Sequence, residues 1–199
     1  SKLVDCFYFY PWYLIILNFM KFIFLNYLII IFYLISSSVS YSIERPEIKN
    51  LIVYKDKKKI ENIEFIKSDG QKVSLNNYKS NPLIINFWAT WCAPCKKEMP
   101  SLDKIKTLSE FKNINIIPIN IGGDSYKKSK EFFDEIKIKN LDVFTGSGPE
   151  FSQLFKLRGL PTTILIDRNG FEVGRIVGYI DFNDQSLLDW LAKNLWNFL

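Results

Sequence analysis

"NFWATWCAPCKKEMP", Asn86 to Pro100, sets Cys92 and Cys95 three positions apart, behind an apolar run and ahead of a charged helical pattern. Upstream, "PLIINFWA" reads as a short buried strand. Downstream, Met99, Leu102, Ile105 and Leu108 recur every three residues, roughly one face of a helix. The hydrophobic period thus changes from strand to helix at the cysteines. A strand-to-helix turn is the end of an open α/β sheet where chemistry is normally placed.

The flanking sequence extends this reading. "IEFIKSDGQKVSL" alternates apolar and polar positions on either side of Asp69-Gly70, a β-hairpin signal. "INIIPINI" is a second buried strand, after which Asp124 or Ser125 caps a helix carrying Phe132, Phe133 and Ile136. "LDVF" reads as a third, short strand and "PEFSQLF" as a brief helix. "TTILID", the turn "RNG" and "FEVGRIVGYI" make a second hairpin, and a last helix runs from Asn183 to Trp196. Strands alternating with helices, then a hairpin and a closing helix, predict an α/β fold with a mixed central sheet covered by helices on both faces.

The chain has 199 residues, 48% apolar and 24% charged, which suits one domain with a proper core. Its net charge of +5 comes from lysines interleaved with acids, so no nucleic-acid face is expected. Residues 1–40 form a leader. Within it, "MKFIFLNYLIIIFYLISSSVSYS" has a single Lys21, an apolar stretch from Phe22 to Ile35, and small residues Ser38 and Ser40 before a cleavage point near Tyr41. Residues 20–40 are therefore a signal peptide or a retained membrane anchor. Residues 1–19, with Pro11 inside an apolar run, are set aside as an upstream extension. Residues 41–61, including "YKDKKK", are charged and aperiodic and read as an exposed tether.

There are three cysteines and no histidine, and Cys6 lies in the leader. A zinc site wants four Cys, His or carboxylate ligands, and haem attachment wants His after the second cysteine, where this chain has Lys96. A disulfide closing so short a loop is a poor staple, because chain-entropy stabilisation grows with loop length. Dithiol-disulfide chemistry survives these exclusions. At a helix start, Cys92 would face unpaired N–H groups and the positive dipole end, which stabilise a thiolate. Pro94 fits the first helical turn, where its missing N–H costs nothing.

"FWATWCAPC", followed by "GLPTT" and "ILIDRNG", resembles the thioredoxin superfamily, and within it the exported thiol-disulfide oxidoreductases of the TlpA/ResA group. The resemblance covers residues 62–199. It implies a thioredoxin-like domain with an N-terminal β-hairpin extension, and a redox-active Cys92-Cys95 disulfide. Cys92 would be the exposed nucleophile and Cys95 the resolving thiol. It also implies a cis Leu160-Pro161 bond, with Pro161 beside the cysteines and Leu160 offering backbone hydrogen bonds to an extended substrate. Trp91, Ala93 and Pro94 would border the same surface. An acid three residues after the second cysteine matches Glu98, a candidate proton relay whose alternative is a solvated acid near the helix start. Asn86 departs from ordinary thioredoxin, which places a buried Asp there.

With Ala93-Pro94 between the cysteines and no histidine to stabilise a thiolate, a reductase is expected, nearer about −270 mV than about −120 mV. By resemblance it would act in cytochrome c maturation or respiratory oxidase assembly. Its substrate would be an apocytochrome c or copper-site disulfide, and a membrane thiol donor would re-reduce it at the outer face of the cytoplasmic membrane or in the periplasm. No cofactor or resident metal is expected. Two other readings stay open: a copper metallochaperone, for which Met99 is the nearby soft ligand, and a thiol peroxidase.

Overall fold

The computed structural model describes residues 10–36, 48, 50–68, 70–78 and 80–196. Cys6, Ser38, Ser40, Tyr41 and Asp69, which enter the sequence reading above, lie outside the described residues. The chain divides into two units, residues 1–44 and 45–199.

The first unit is helix α1, Tyr10–Ser36. At about 1.5 Å per residue it is roughly 40 Å long, and its Ile15–Phe32 stretch is long and apolar enough to cross a membrane. Pro11 sits in the first turn, where no intrahelical N–H is needed, so the helix starts there and runs unbroken across residue 20.

The second unit is built on one eight-stranded sheet. Its strands are β1 (Leu51–Lys59), β2 (Glu64–Ile66), β3 (Lys72–Ser74), β4 (Leu83–Trp88), β5 (Asn115–Asn120), β6 (Phe144–Thr145), β7 (Thr162–Ile166) and β8 (Phe171–Val177). They lie in the order β1-β8-β7-β4-β5-β6-β2-β3. β4 pairs in parallel with β5 and antiparallel with β7. The helices are α2 (Ala93–Ile105), α3 (Tyr126–Glu135), α4 (Gly148–Phe155) and α5 (Gln185–Leu195).

Every residue of β4 is buried, because both sheet faces are covered. Successive side chains point to opposite faces. Ile84 and Trp88 pack with Met99 and Leu102 of α2, Phe132 and Phe133 of α3, and Leu187 and Leu191 of α5. Leu83, Ile85 and Phe87 pack with Phe151 and Phe155 of α4 and with Phe65 and Val73 of the β2–β3 hairpin. Burying each such side chain stabilises the fold by about 1.5–3 kcal/mol before entropy is set against it.

Three expectations need correction. The exposed tether of residues 41–61 contains β1, which pairs antiparallel with β8 from Leu51↔Ile176 to Lys59↔Phe171. Its lysines hid the strand, since an edge strand can send such side chains to solvent while Leu51 and Val53 pack on the core. At Gly174 a Cβ would stand 2.7 Å from the Ile52 carbonyl oxygen, so glycine lets β1 come that close. "LDVF" contributes only Phe144 to a strand, β6, and α2 ends at Ile105, leaving Leu108 to pack on the core from beyond the helix.

Candidate active site

β4 delivers the chain into a tight turn in which Cys92 N–H donates to the Ala89 carbonyl at 3.2 Å. Cys92 is the N-cap of α2, with extended backbone, and its Sγ accepts from Cys95 N–H at 3.2 Å. This N–H is one of the unpaired donors of a helix start, so the geometry favours charge on the Cys92 sulfur. The two cysteines form a disulfide with Cα atoms 5.3 Å apart, and this is the oxidised protein.

Cys92 is not an exposed residue in this state. It is 5% exposed, Cys95 is 0% exposed, and the neighbour that stands in solvent is Trp91, at 67%. Cys92 belongs to the same packed cluster as Trp88 and Ala89, since it caps a helix whose inner face is core. Ala93 and Pro94 are exposed beside it. The Leu160-Pro161 bond is cis. Leu160 packs against the cluster that holds both cysteines, and the Pro161 carbonyl accepts from Gly178 N–H at 2.8 Å.

Glu98 is 1% exposed, which removes the solvated-acid alternative. One turn beyond Cys95, it shares the buried face of α2. Its Oε1 accepts from Asn86 Nδ2 at 2.7 Å and its Oε2 from Ile180 N–H at 3.0 Å. Burial pushes the carboxyl up to about 7, and the Ile180 and Asn86 hydrogen bonds only partly oppose it. Asn86 is buried too, and donates a second time to Thr163 Oγ1 at 2.9 Å. Asn86, expected from the resemblance to stand where ordinary thioredoxin places an aspartate, thus holds the Glu98 carboxylate of α2.

A second carboxylate, on the partly buried Asp124, holds the turn itself. The Asp124 side chain is 4% exposed. Its Oδ2 accepts from Thr90 N–H at 3.2 Å, Thr90 Oγ1 at 2.8 Å and Asn120 Nδ2 at 3.1 Å, and its Oδ1 from Lys128 Nζ at 2.6 Å. The sequence reading offered Asp124 or Ser125 as the cap of α3. Ser125 takes that role, leaving Asp124 to Thr90. Gly122 fits under the turn, where a Cβ would meet Ala89 Cβ at 2.5 Å, and its carbonyl accepts from Trp91 Nε1 at 3.4 Å. Nothing in the local sequence pairs Thr90 with Asp124, because the partners come from different strand ends.

A Cys92-Cys95 disulfide whose first cysteine caps a helix at the end of a central strand, a cis proline at the neighbouring strand and a buried acid one turn behind define the class: a thioredoxin-fold protein with the geometry of thiol-disulfide exchange. Comparison with known proteins places it further. Residues 55–187 match the Redoxin family model, and the chain belongs to that family. It is 31% identical over 110 residues to the thiol-disulfide oxidoreductase ResA of Bacillus cereus, covering 55% of this chain and 62% of that protein. It is 30% identical over 125 residues to ResA of Bacillus thuringiensis subsp. konkukian, covering 63% and 70%. A crystal structure described as a putative thiol:disulfide interchange protein DsbE from Chlorobium tepidum superposes with TM-score 0.59 at 23% identity, covering 68% of this chain and 98% of that one, a likeness of fold.

Proposed function

We propose that this protein is an exported thiol-disulfide oxidoreductase that reduces protein disulfides. The observation that carries the reading is the pairing of Cys92, capping α2 with its sulfur on the Cys95 N–H, with the buried Glu98 one turn beyond Cys95. In the reduced protein the Cys92 thiolate attacks a substrate disulfide, forming a mixed disulfide and releasing one substrate thiolate, which takes up a proton. Cys95 then loses its proton to the Glu98 carboxylate and attacks Cys92 Sγ. The Cys92-Cys95 disulfide forms, the second substrate sulfur leaves as a thiolate, and Glu98 returns the proton to it. Two electrons pass from the two cysteine sulfurs to the substrate, with one proton from Cys95 by way of Glu98 and the other from solvent.

Several features support the reducing direction and a macromolecular substrate. A carboxylate one turn beyond Cys95 on the buried face of α2 disfavours thiolates, and no histidine offsets it, so the dithiol is readily oxidised. Complete burial of Cys95 suits a thiol that meets only Cys92. The cavity of about 780 Å³ bounded by Ile52, Tyr54, Leu157 and Arg175 has neither cysteine in its wall. The chemistry faces outward past Trp91, Ala93 and Pro94, where a protein segment can lie across Leu160 and Pro161. The ResA relatives and the apolar α1 favour a site outside the cytoplasmic membrane, with α1 as signal or anchor. The substrates in this reading are apocytochrome c or copper-site disulfides, and a membrane dithiol restores the reduced form.

The test is trapping. Cys95→Ser keeps the nucleophile and removes the resolving thiol, so reducible adducts accumulate through Cys92 and mass spectrometry of them names the substrates. Cys92→Ser accumulates far fewer. Equal trapping by both variants overturns the assigned roles, and no trapping together with tight copper binding favours a metallochaperone.

A further inference from the structure

Asp124 is a partly buried residue with a 4% exposed side chain that the exchange steps above do not use. Its four donors come from three places: Thr90 in the cysteine turn, Asn120 at the end of β5, and Lys128 in the first turn of α3. Asn120 is itself fixed, donating to Ser129 Oγ at 2.9 Å and accepting from Gly122 N–H at 2.8 Å. The Thr90 contact is double, from backbone and hydroxyl, and Thr90 is two residues before Cys92. The other hydrogen bonds at the turn are Cys92 N–H to Ala89, Lys96 N–H to the Cys92 carbonyl, and the long Trp91 Nε1 contact to Gly122, while Ala89 and Cys92 are packed in the core.

We infer that Asp124 is a positioning residue that clamps Thr90 to the end of β5 and so holds the Cys92 sulfur on the Cys95 N–H at the start of α2. The inference rests on the reading of Cys92 as the attacking thiol. Burial raises the Asp124 carboxyl, but the Lys128, Thr90 and Asn120 hydrogen bonds outweigh it and hold the group at about 2, so the clamp stays charged through the working pH range. With Thr90 released, the turn samples geometries in which Cys92 Sγ leaves Cys95 N–H, and the thiolate loses its stabilising donor. Removing a negative charge alone would act the other way and favour the thiolate. The sign of the effect therefore separates positioning from charge.

The experiment uses the full-length reduced protein, the rate at which Cys92 reacts with iodoacetamide at pH 7, and the equilibrium constant against dithiothreitol. Misplacement of a reacting group costs one to two orders of magnitude, so Asp124→Ala is expected to slow alkylation about tenfold and move the equilibrium about tenfold toward the disulfide. Asp124→Asn retains an oxygen for Thr90 and is expected to return within about threefold of wild type. Thr90→Val removes one of the two Thr90 donors and should shift both readouts the same way by a smaller factor, which decides the matter if Asp124→Ala does not fold. Wild-type rate and equilibrium in these variants, even with a lowered melting temperature, overturn the inference. So does faster alkylation, or an Asp124→Asn no better than Asp124→Ala. If Cys95→Ser traps no substrate through Cys92 while these shifts are seen, the functional reading fails and the clamp stands.

Discussion

Two carboxylates flank the same turn and titrate in opposite directions. Glu98 on α2 has two uncharged donors, an amide and a backbone N–H, and burial lifts it to about 7. Asp124 in the β5–α3 loop has four donors, one of them the Lys128 ammonium, and is held at about 2. Burial alone raises both. The number and charge of the donors decide which side of neutrality each group ends on. One carboxylate is left able to exchange a proton near neutral pH, and the other is locked as an anion.

The largest effect that would sharpen this contrast is on stability. The folded pKa of Glu98 lies above its unfolded value, so the unfolded chain binds fewer protons between pH 4.5 and 7 and stability falls as pH rises through that window. With about 1.4 kcal/mol per pH unit, denaturation of the oxidised protein should lose about 3 kcal/mol from this group, and Glu98→Gln should abolish that slope. An unchanged slope in Glu98→Gln would break the contrast.

Next in size is the rate. A positioned proton acceptor contributes about 10²-fold or more, so Glu98→Gln should slow release of the mixed disulfide by about that factor and remove the inflection near pH 7 from its rate profile. Stopped-flow reduction of a model protein disulfide measures both. The smallest effect belongs to Asp124, whose folded pKa is depressed: its contribution is present above about pH 4 and lost as pH falls toward 2. Lys128 is largely exposed, so Lys128→Met should reduce that acid limb by only about 1 kcal/mol or less, as read from acid unfolding curves. A larger loss would mean that the lysine, rather than the Thr90 and Asn120 hydrogen bonds, holds the anion.

The cysteine turn was legible in the sequence because it is local. An apolar strand, a helical period, two cysteines at its start and Pro94 in its first turn are adjacent along the chain, and each rests on short-range geometry. The same holds for β4, β5, β7, β8 and the β2–β3 hairpin. The spacing of Cys95 and Glu98 also set both on one face of α2. What the sequence left open was whether that face was wet or dry at Glu98.

Other features were decided only by the packing of distant segments. β1 looks like a charged tether because its lysines face solvent at a sheet edge, and it becomes a strand only when β8 supplies the partner and Gly174 the room. The Glu98 carboxyl is pushed up to about 7 only when α2 closes on Asn86 of β4 and the Ile180 backbone and burial takes it out of water. Asp124 and Ser125 are equal candidates for the helix cap until the ends of β4 and β5 come together, leaving Ser125 as the cap and Asp124 on Thr90. The sequence determined which residues could carry thiol chemistry, since thiols, their spacing and a helix start are properties of neighbours along the chain. Protonation states and the hold on the turn depend on desolvation and on donors tens of residues away, and those exist only once the sheet has assembled.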